Sequence, residues 1–151
     1  MNIERTELIG LALPSKTTNE NGRSAIDCGN LWQRFENEDY ANRIPNRLSD
    51  EVVAVYHSYE GDHTRPFSYF IGCKVKPGTP APEGMDRFTI TPGNYEKRTA
   101  KGTIPDCIAA AWTDIWNSDV KRAYQIDFEV YDARSNDWSD GEVDIFLSVL
   151  G

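Results

Sequence analysis

The sequence predicts an α+β fold in which two β-α-β-β units form one antiparallel sheet carrying two helices, with a central cleft between the units. Three observations carry this prediction. Several short runs alternate apolar and polar residues at a period of two, and two longer runs place apolar residues at helical spacing. Near the middle, Lys76-Pro77-Gly78-Thr79-Pro80-Ala81-Pro82-Glu83-Gly84 denies both helix and ladder, and the segments on either side follow the same element order.

In chain order, residues 8–13 (Leu-Ile-Gly-Leu-Ala-Leu) read as a strand that stops at Pro14, which has no N–H for a ladder. A polar loop follows. Over residues 22–38, Ile26, Leu31, Trp32 and Phe35 fall at helical spacing, and Ser24 with Asp27 forms a candidate capping box. Residues 42–49, with Pro45 inside, read as a loop. Runs 51–59 and 67–75 are rich in Val, Tyr, Phe and Ile and form a strand pair. After the Pro-rich break, the plan repeats with a strand over 88–98, a helix over 103–117, and strands over 124–132 and 143–149. The second helix carries an unbroken stripe of Ile104, Cys107, Ile108, Ala111, Trp112, Ile115 and Trp116, with Thr103 as its expected N-cap. In the last strand Val143, Ile145, Leu147 and Val149 alternate with Glu142, Asp144, Phe146 and Ser148, so one face is core and the other mixed. The expectation is one domain over 1–151, with pseudo-repeats at about 3–75 and 86–150.

A chain of 151 residues with 39% hydrophobic residues can bury a core without staples. Its net charge of −8 repels phosphate backbones and anionic membranes and attracts cations, so neither direct nucleic-acid binding nor membrane binding is expected. Cys28, Cys73 and Cys107 are odd in number, far apart and free of any CxxC, which reads as buried thiols in a reducing cytoplasm. The N-terminus lacks the basic then apolar plan of a signal peptide, and no apolar run reaches spanning length. No metal site and no cofactor is expected: neither histidine sits in a ligand or nucleophile motif, and no GxSxG, HExxH or P-loop occurs. His57 reads as structural, and His63 as part of a solvated turn.

The informative segment is Ile126-Asp127-Phe128-Glu129-Val130-Tyr131-Asp132. Alternation turns Phe128 and Val130 one way and Glu129 and Tyr131 the other. Glu129 fits two roles equally: a carboxylate that receives a cation among aromatic rings, or a glutamate on a solvated sheet face opposite a Lys or Arg. Aromatic candidates are Trp32, Phe35, Trp112 and Trp116 on helices and Tyr56, Tyr69, Tyr131 and Phe146 on strands, with plain core packing as the alternative for each. Tyr56 and Tyr131 lead, because a tyrosine offers both a ring face and a hydroxyl.

Taken in order, Phe70-Ile71-Gly72-Cys73-Lys74-Val75, Pro82-Glu83-Gly84-Met85, Thr91-Pro92-Gly93-Asn94-Tyr95, Ala111-Trp112-Thr113-Asp114-Ile115-Trp116 and Asp127-Phe128-Glu129-Val130-Tyr131-Asp132 resemble the GyrI-like effector-binding domains of AraC-type and MerR-type regulators. The chain is most similar to their stand-alone integron-associated subgroup. The resemblance implies a duplicated β-α-β-β fold whose cleft binds amphipathic, often cationic, small molecules. The family's acid falls on Glu129, its flanking aromatic on Tyr131, and its helix tryptophans on Trp32 and Trp112, with Phe35, Tyr56 and Tyr69 as further lining positions. Since the ligand domain accounts for the whole sequence, it implies a ligand sensor or drug-capture module that works alone or with a separate regulatory protein. Two alternatives stand beside it. One is a hydrolase of strained electrophiles using Glu129 and a cleft tyrosine; the other is an adaptor that presents its sheet edge or aromatic surface to a partner.

Overall fold

The computed structural model describes residues 2–62 and 64–150, so His63 lies outside the described residues. Eight strands form a single antiparallel sheet: β1 (Asn2–Ile3), β2 (Thr6–Ala12), β3 (Val52–His57), β4 (Ser68–Lys74), β5 (Asp86–Ile90), β6 (Gly93–Gly102), β7 (Ile126–Tyr131) and β8 (Gly141–Ser148). Their order is β1-β6-β8-β7-β3-β4-β2-β5. Helix α1 (Arg23–Asn37) follows β2, the one-turn α2 (Tyr40–Arg43) comes next, and α3 (Asp106–Trp116) follows β6.

This order reads alike from both ends of the central β7–β3 pair. One β-α-β-β unit supplies β3-β4-β2 and the other β7-β8-β6. The short strands that precede each unit cross over: β1 pairs with β6, and β5 pairs with β2. Each unit thus has its outer edge closed by chain from the other, which ties the halves together and shields two ladder edges.

Period-two alternation sorts the strand residues onto two faces. On the helix side, Ile9, Leu11, Ala54, Ile71 and Cys73 meet Leu31 and Phe35 of α1. Ala100, Val143, Ile145 and Leu147 meet Ile104, Ile108, Trp112 and Ile115 of the α3 segment. The opposite face buries Leu8, Val53, Val55, Phe70, Tyr95, Phe128 and Val130 with no helix over them. The sheet curls over itself there, and Phe128 stacks on Phe146 at 4.8 Å and meets Tyr95 at 5.5 Å.

Several expected boundaries change. The strand expected over 88–98 is two strands, because Pro92 has no N–H and a fixed φ, so the ladder breaks and the chain crosses from the β2 edge to the β8 edge. The loop expected at 42–49 begins inside α2. Neither expected cap forms: the residue flanking the start of α1 is Gly22, whose φ of 70° suits glycine, while the Ser24 hydroxyl donates to Asn19 and Asp27 accepts from Thr17 and Arg23. Helix α3 starts three residues after Thr103, with Pro105 as its first flanking residue. The Pro-rich segment is pinned: Glu7 accepts from the Gly78 N–H at 3.1 Å, and Thr79 is buried. Among the described residues, no helix is long and apolar enough to cross a membrane.

Helix α1 packs on one unit and α3 on the other, and both reach the central strand pair only with their edges. There β3 presents Ala54 and Tyr56, and β7 presents Glu129 and Tyr131; Ala54 lies directly opposite Glu129. Tyr56 and Tyr131 touch both helix-side clusters. A cleft therefore opens over the junction of the halves.

Candidate ligand-binding cavity

Glu129 forms the floor of this cleft and is 1% exposed. Three neighbouring rings donate hydrogen bonds to it. The Trp112 indole N–H and Tyr56 hydroxyl reach Oε2 at 2.6 and 2.8 Å, and the Tyr131 hydroxyl reaches Oε1 at 2.7 Å. Local structure explains the convergence. Tyr131 lies two residues from Glu129 on the same strand face, Tyr56 lies one diagonal step across the β3–β7 ladder, and Trp112 descends from α3. The small Ala54 opposite leaves room for the carboxylate.

Charge is the notable property of this arrangement. Among the described residues, no Lys or Arg pairs with Glu129, so its oxygens are held by neutral donors alone. Burial pushes its carboxyl above the ordinary range, and the bonds from Trp112, Tyr131 and Tyr56 only partly oppose that. Burial, reinforced by Glu129, also lifts the hydroxyls of Tyr56, Tyr69 and Tyr131 well above the usual tyrosine range, so they stay protonated, and Tyr56 and Tyr131 donate to Glu129.

Around the acid the rings meet edge to face: Trp32 with Tyr131 at 4.7 Å, Tyr56 with Tyr69 at 5.0 Å, and Tyr56 with Trp112 at 5.1 Å. The Trp32 indole N–H donates to the Tyr69 hydroxyl at 2.8 Å, which fixes α1 against β4. These walls enclose a cavity of about 620 Å³ between α1 and α3, a size suited to a drug-sized molecule.

Of the seven residues expected from the sequence, Glu129, Tyr131, Trp112, Tyr56, Trp32 and Tyr69 all stand on the wall. Phe35 does not. It lies four residues from Leu31 on the stripe of α1 that faces the sheet, and packs behind Trp32 and against Tyr40. Trp116, read as core or ligand contact, also lines the wall.

The sequence reading missed Tyr59, Phe67, Arg122 and Trp138. Buried Asp127 accepts from the Tyr59 hydroxyl at 2.5 Å and from Arg122 Nη2 at 2.7 Å. Tyr59 ends the run read as a strand over 51–59, but β3 stops at His57 and Ser58 has a φ of 53°, so the alternation no longer sets its facing; Arg122 lies ahead of β7, where no periodicity assigns one. Trp138, half-exposed in the turn before β8, stands at the rim.

His57 packs on Phe88 at 4.4 Å, outside the cavity, and burial lowers its ring below the usual range. All three thiols are unpaired. Cys28 lines the cavity, where burial and then Glu129 push its thiol far up; burial pushes Cys73 up to about 11. Both are therefore held as thiols, not thiolates. Among the described residues, no cluster of His, Cys, Asp or Glu could hold a metal ion.

A duplicated β-α-β-β sheet with an acid-floored aromatic cavity at the junction of its halves defines an effector-binding domain of the GyrI-like fold. The chain belongs to the integron-associated effector binding proteins: the sequence profile of that family, Cass2, matches residues 2–149. The transcriptional regulator BrlR of Pseudomonas aeruginosa is 30% identical over 130 residues, covering 80% of this chain and 46% of BrlR. The chain thus spans less than half the length of that relative. Among solved structures, the integron cassette protein VCH_CASS2 of Vibrio cholerae superposes with a TM-score of 0.75 at 27% identity, covering 99% of this chain and 94% of the other. The structure of SAV2435 bound to tetraphenylphosphonium superposes with a TM-score of 0.79 at 16% identity, covering 100% and 92%, and shares the fold.

Proposed function

We propose that this protein takes up a bulky amphipathic organic cation in its central cavity, as the sensing element of a regulatory system or as a drug-capture module. One observation carries the reading: Glu129 is buried on the cavity floor among aromatic rings with, among the described residues, no cation paired to it. A buried carboxylate without a countercharge is costly, and a ligand cation would supply it. Ring faces of Trp112, Tyr56 and Tyr131 would add contacts of about 0.5–2 kcal/mol each. Capture of tetraphenylphosphonium by a protein of the same fold supports the choice of chemistry, and kinship with BrlR supports a regulatory setting. Three unpaired thiols fit a reducing cytoplasm.

The hydrolase alternative asks Glu129 to activate water. Three ring donors already occupy its oxygens, which favours holding a charge over abstracting a proton.

Calorimetry with two ions of one shape and opposite sign tests the reading. Tetraphenylphosphonium should bind with 1:1 stoichiometry, and tetraphenylborate should not. Comparable affinity for both would mean that the cavity reads shape and apolar area alone, and the charge-receptor reading would fall.

A further inference from the structure

We propose that the cavity has a second polar pole, at which Arg122 donates hydrogen bonds to an acceptor on the ligand. The preferred ligand is then a bulky cation that also carries a carboxylate or similar acceptor. This deepens the cation reading and rests on it.

Arg122 lies between α3 and β7, held by a backbone bridge to Val149. Its side chain is 3% exposed and borders the cavity. Among the described residues, only its Nη2 has a hydrogen-bond partner, Asp127 Oδ2 at 2.7 Å. Nε and Nη1 are buried and have none. Together those two nitrogens carry three of a guanidinium's five N–H groups, and an idle buried donor is unfavourable.

Asp127 cannot take them. Oδ2 already accepts from Arg122 and Tyr59, and Oδ1 from the Ser148 N–H at 2.8 Å and the Ser148 hydroxyl at 3.2 Å. A carboxylate offers about four lone-pair sites, and these four contacts fill them. What surrounds the guanidinium instead is ring surface: Tyr124 at 4.3 Å, Trp112 at 5.4 Å and Tyr59 at 5.9 Å from Cζ. Ring faces balance charge without offering a directed acceptor.

Two of those rings, Trp112 and Tyr59, themselves line the cavity. Trp112 also holds Glu129 through its indole N–H, so one ligand spanning that ring meets a carboxylate at one end and a guanidinium at the other. A ligand group that slides Tyr59 or Trp112 off the guanidinium uncovers the idle donors and replaces ring contact with charge-assisted hydrogen bonds.

Benzyltriphenylphosphonium and its 4-carboxybenzyl counterpart differ only in a carboxylate and provide the test. The parent protein should bind the carboxylated probe at least tenfold more tightly. Arg122→Lys keeps a cation beside Asp127 but loses the planar fork, so it should bring the affinities for the two probes within twofold of each other. Equal or weaker binding of the carboxylated probe by the parent overturns the Arg122 pole, as does a preference that survives in Arg122→Lys. Failure of both probes to bind overturns the underlying cation reading instead. Should the variant not fold, NMR of the parent decides: the Arg122 Nε–H resonance should move with the carboxylated probe only, and a resonance unmoved by it refutes the proposal.

Discussion

Replacing Glu129 with Gln should weaken tetraphenylphosphonium binding by roughly 150-fold at neutral pH while raising the melting temperature of the empty protein. The substitution is isosteric. The Gln carbonyl can accept from Trp112 and Tyr56 in place of Oε2, and its amide can donate to the Tyr131 oxygen, whose own O–H gives up its acceptor and turns toward the cavity that Tyr131 lines. What disappears is the charge. For a cation seated ~5 Å from the carboxylate in a site of effective dielectric ~20, the lost attraction is about 3 kcal/mol. That corresponds to roughly 150-fold in Kd. Aromatic contacts survive, so weak binding should persist. Stability moves the other way. Burial raises the folded-state carboxyl above its ordinary value of 4.5, so the stability linked to this group is complete below that value and is lost as pH rises through the raised one. At pH 7 the charged Glu129 therefore costs the empty protein stability that Gln does not, and the two melting temperatures should converge below pH 4.5. Cation binding by the parent should fall as pH drops through the same raised value, and the variant should show no such fall. Calorimetric titration and differential scanning over pH 4 to 8 read both effects. An affinity within threefold of the parent at neutral pH, or a variant that melts lower, would refute the reasoning.

Three further outcomes follow from the same geometry. Trp112→Phe removes the 2.6 Å donor that holds the Glu129 carboxyl down, so the midpoint of pH-dependent binding should shift upward; a titration series reads it, and an unmoved midpoint counts against the contact. Phe35→Leu should cost about 1–2 kcal/mol in urea unfolding, with affinity unchanged within twofold, because Phe35 packs behind the wall. Gly29 lies on the cavity side of α1 with nothing within 4 Å of the place a Cβ would occupy. Gly29→Leu should therefore stabilise the helix by up to about 1 kcal/mol and reduce tetraphenylphosphonium binding more than tenfold by filling that space; fluorescence titration and thermal melting measure the pair.

Much of the architecture was legible because periodicity is a local property. The stripe from Ile104 to Trp116 required a helix lying on a sheet, and the alternation of Val143, Ile145 and Leu147 required one buried face; both are found. Where local rules failed, a longer-range demand had won. Chain crossing to another edge broke the strand at Pro92, and a left-handed Gly22 began α1 in place of a side-chain cap.

The site divides along the same line. Sequence alone set which face of β7 carries Glu129 and Tyr131, since strand geometry turns alternate residues to opposite sides. It also placed two tryptophan-bearing helices beside that sheet, and the resemblance to the family's motifs implied a ligand role for Glu129. Only the tertiary structure decided that Glu129 is buried and, among the described residues, unpaired by any cation, since that depends on α1 and α3 packing on separate halves and meeting the central strand pair with aromatic side chains. Tertiary structure also separated Trp32 on the wall from Phe35 behind it, three residues apart on one helix. It brought Arg122 and Trp138 to the cavity from segments whose facing no periodicity predicts, and Tyr59 from just past the end of β3. The reason is physical: a repeat in sequence reports which side of an element is apolar, whereas an enclosed cavity is the space that several elements fail to fill.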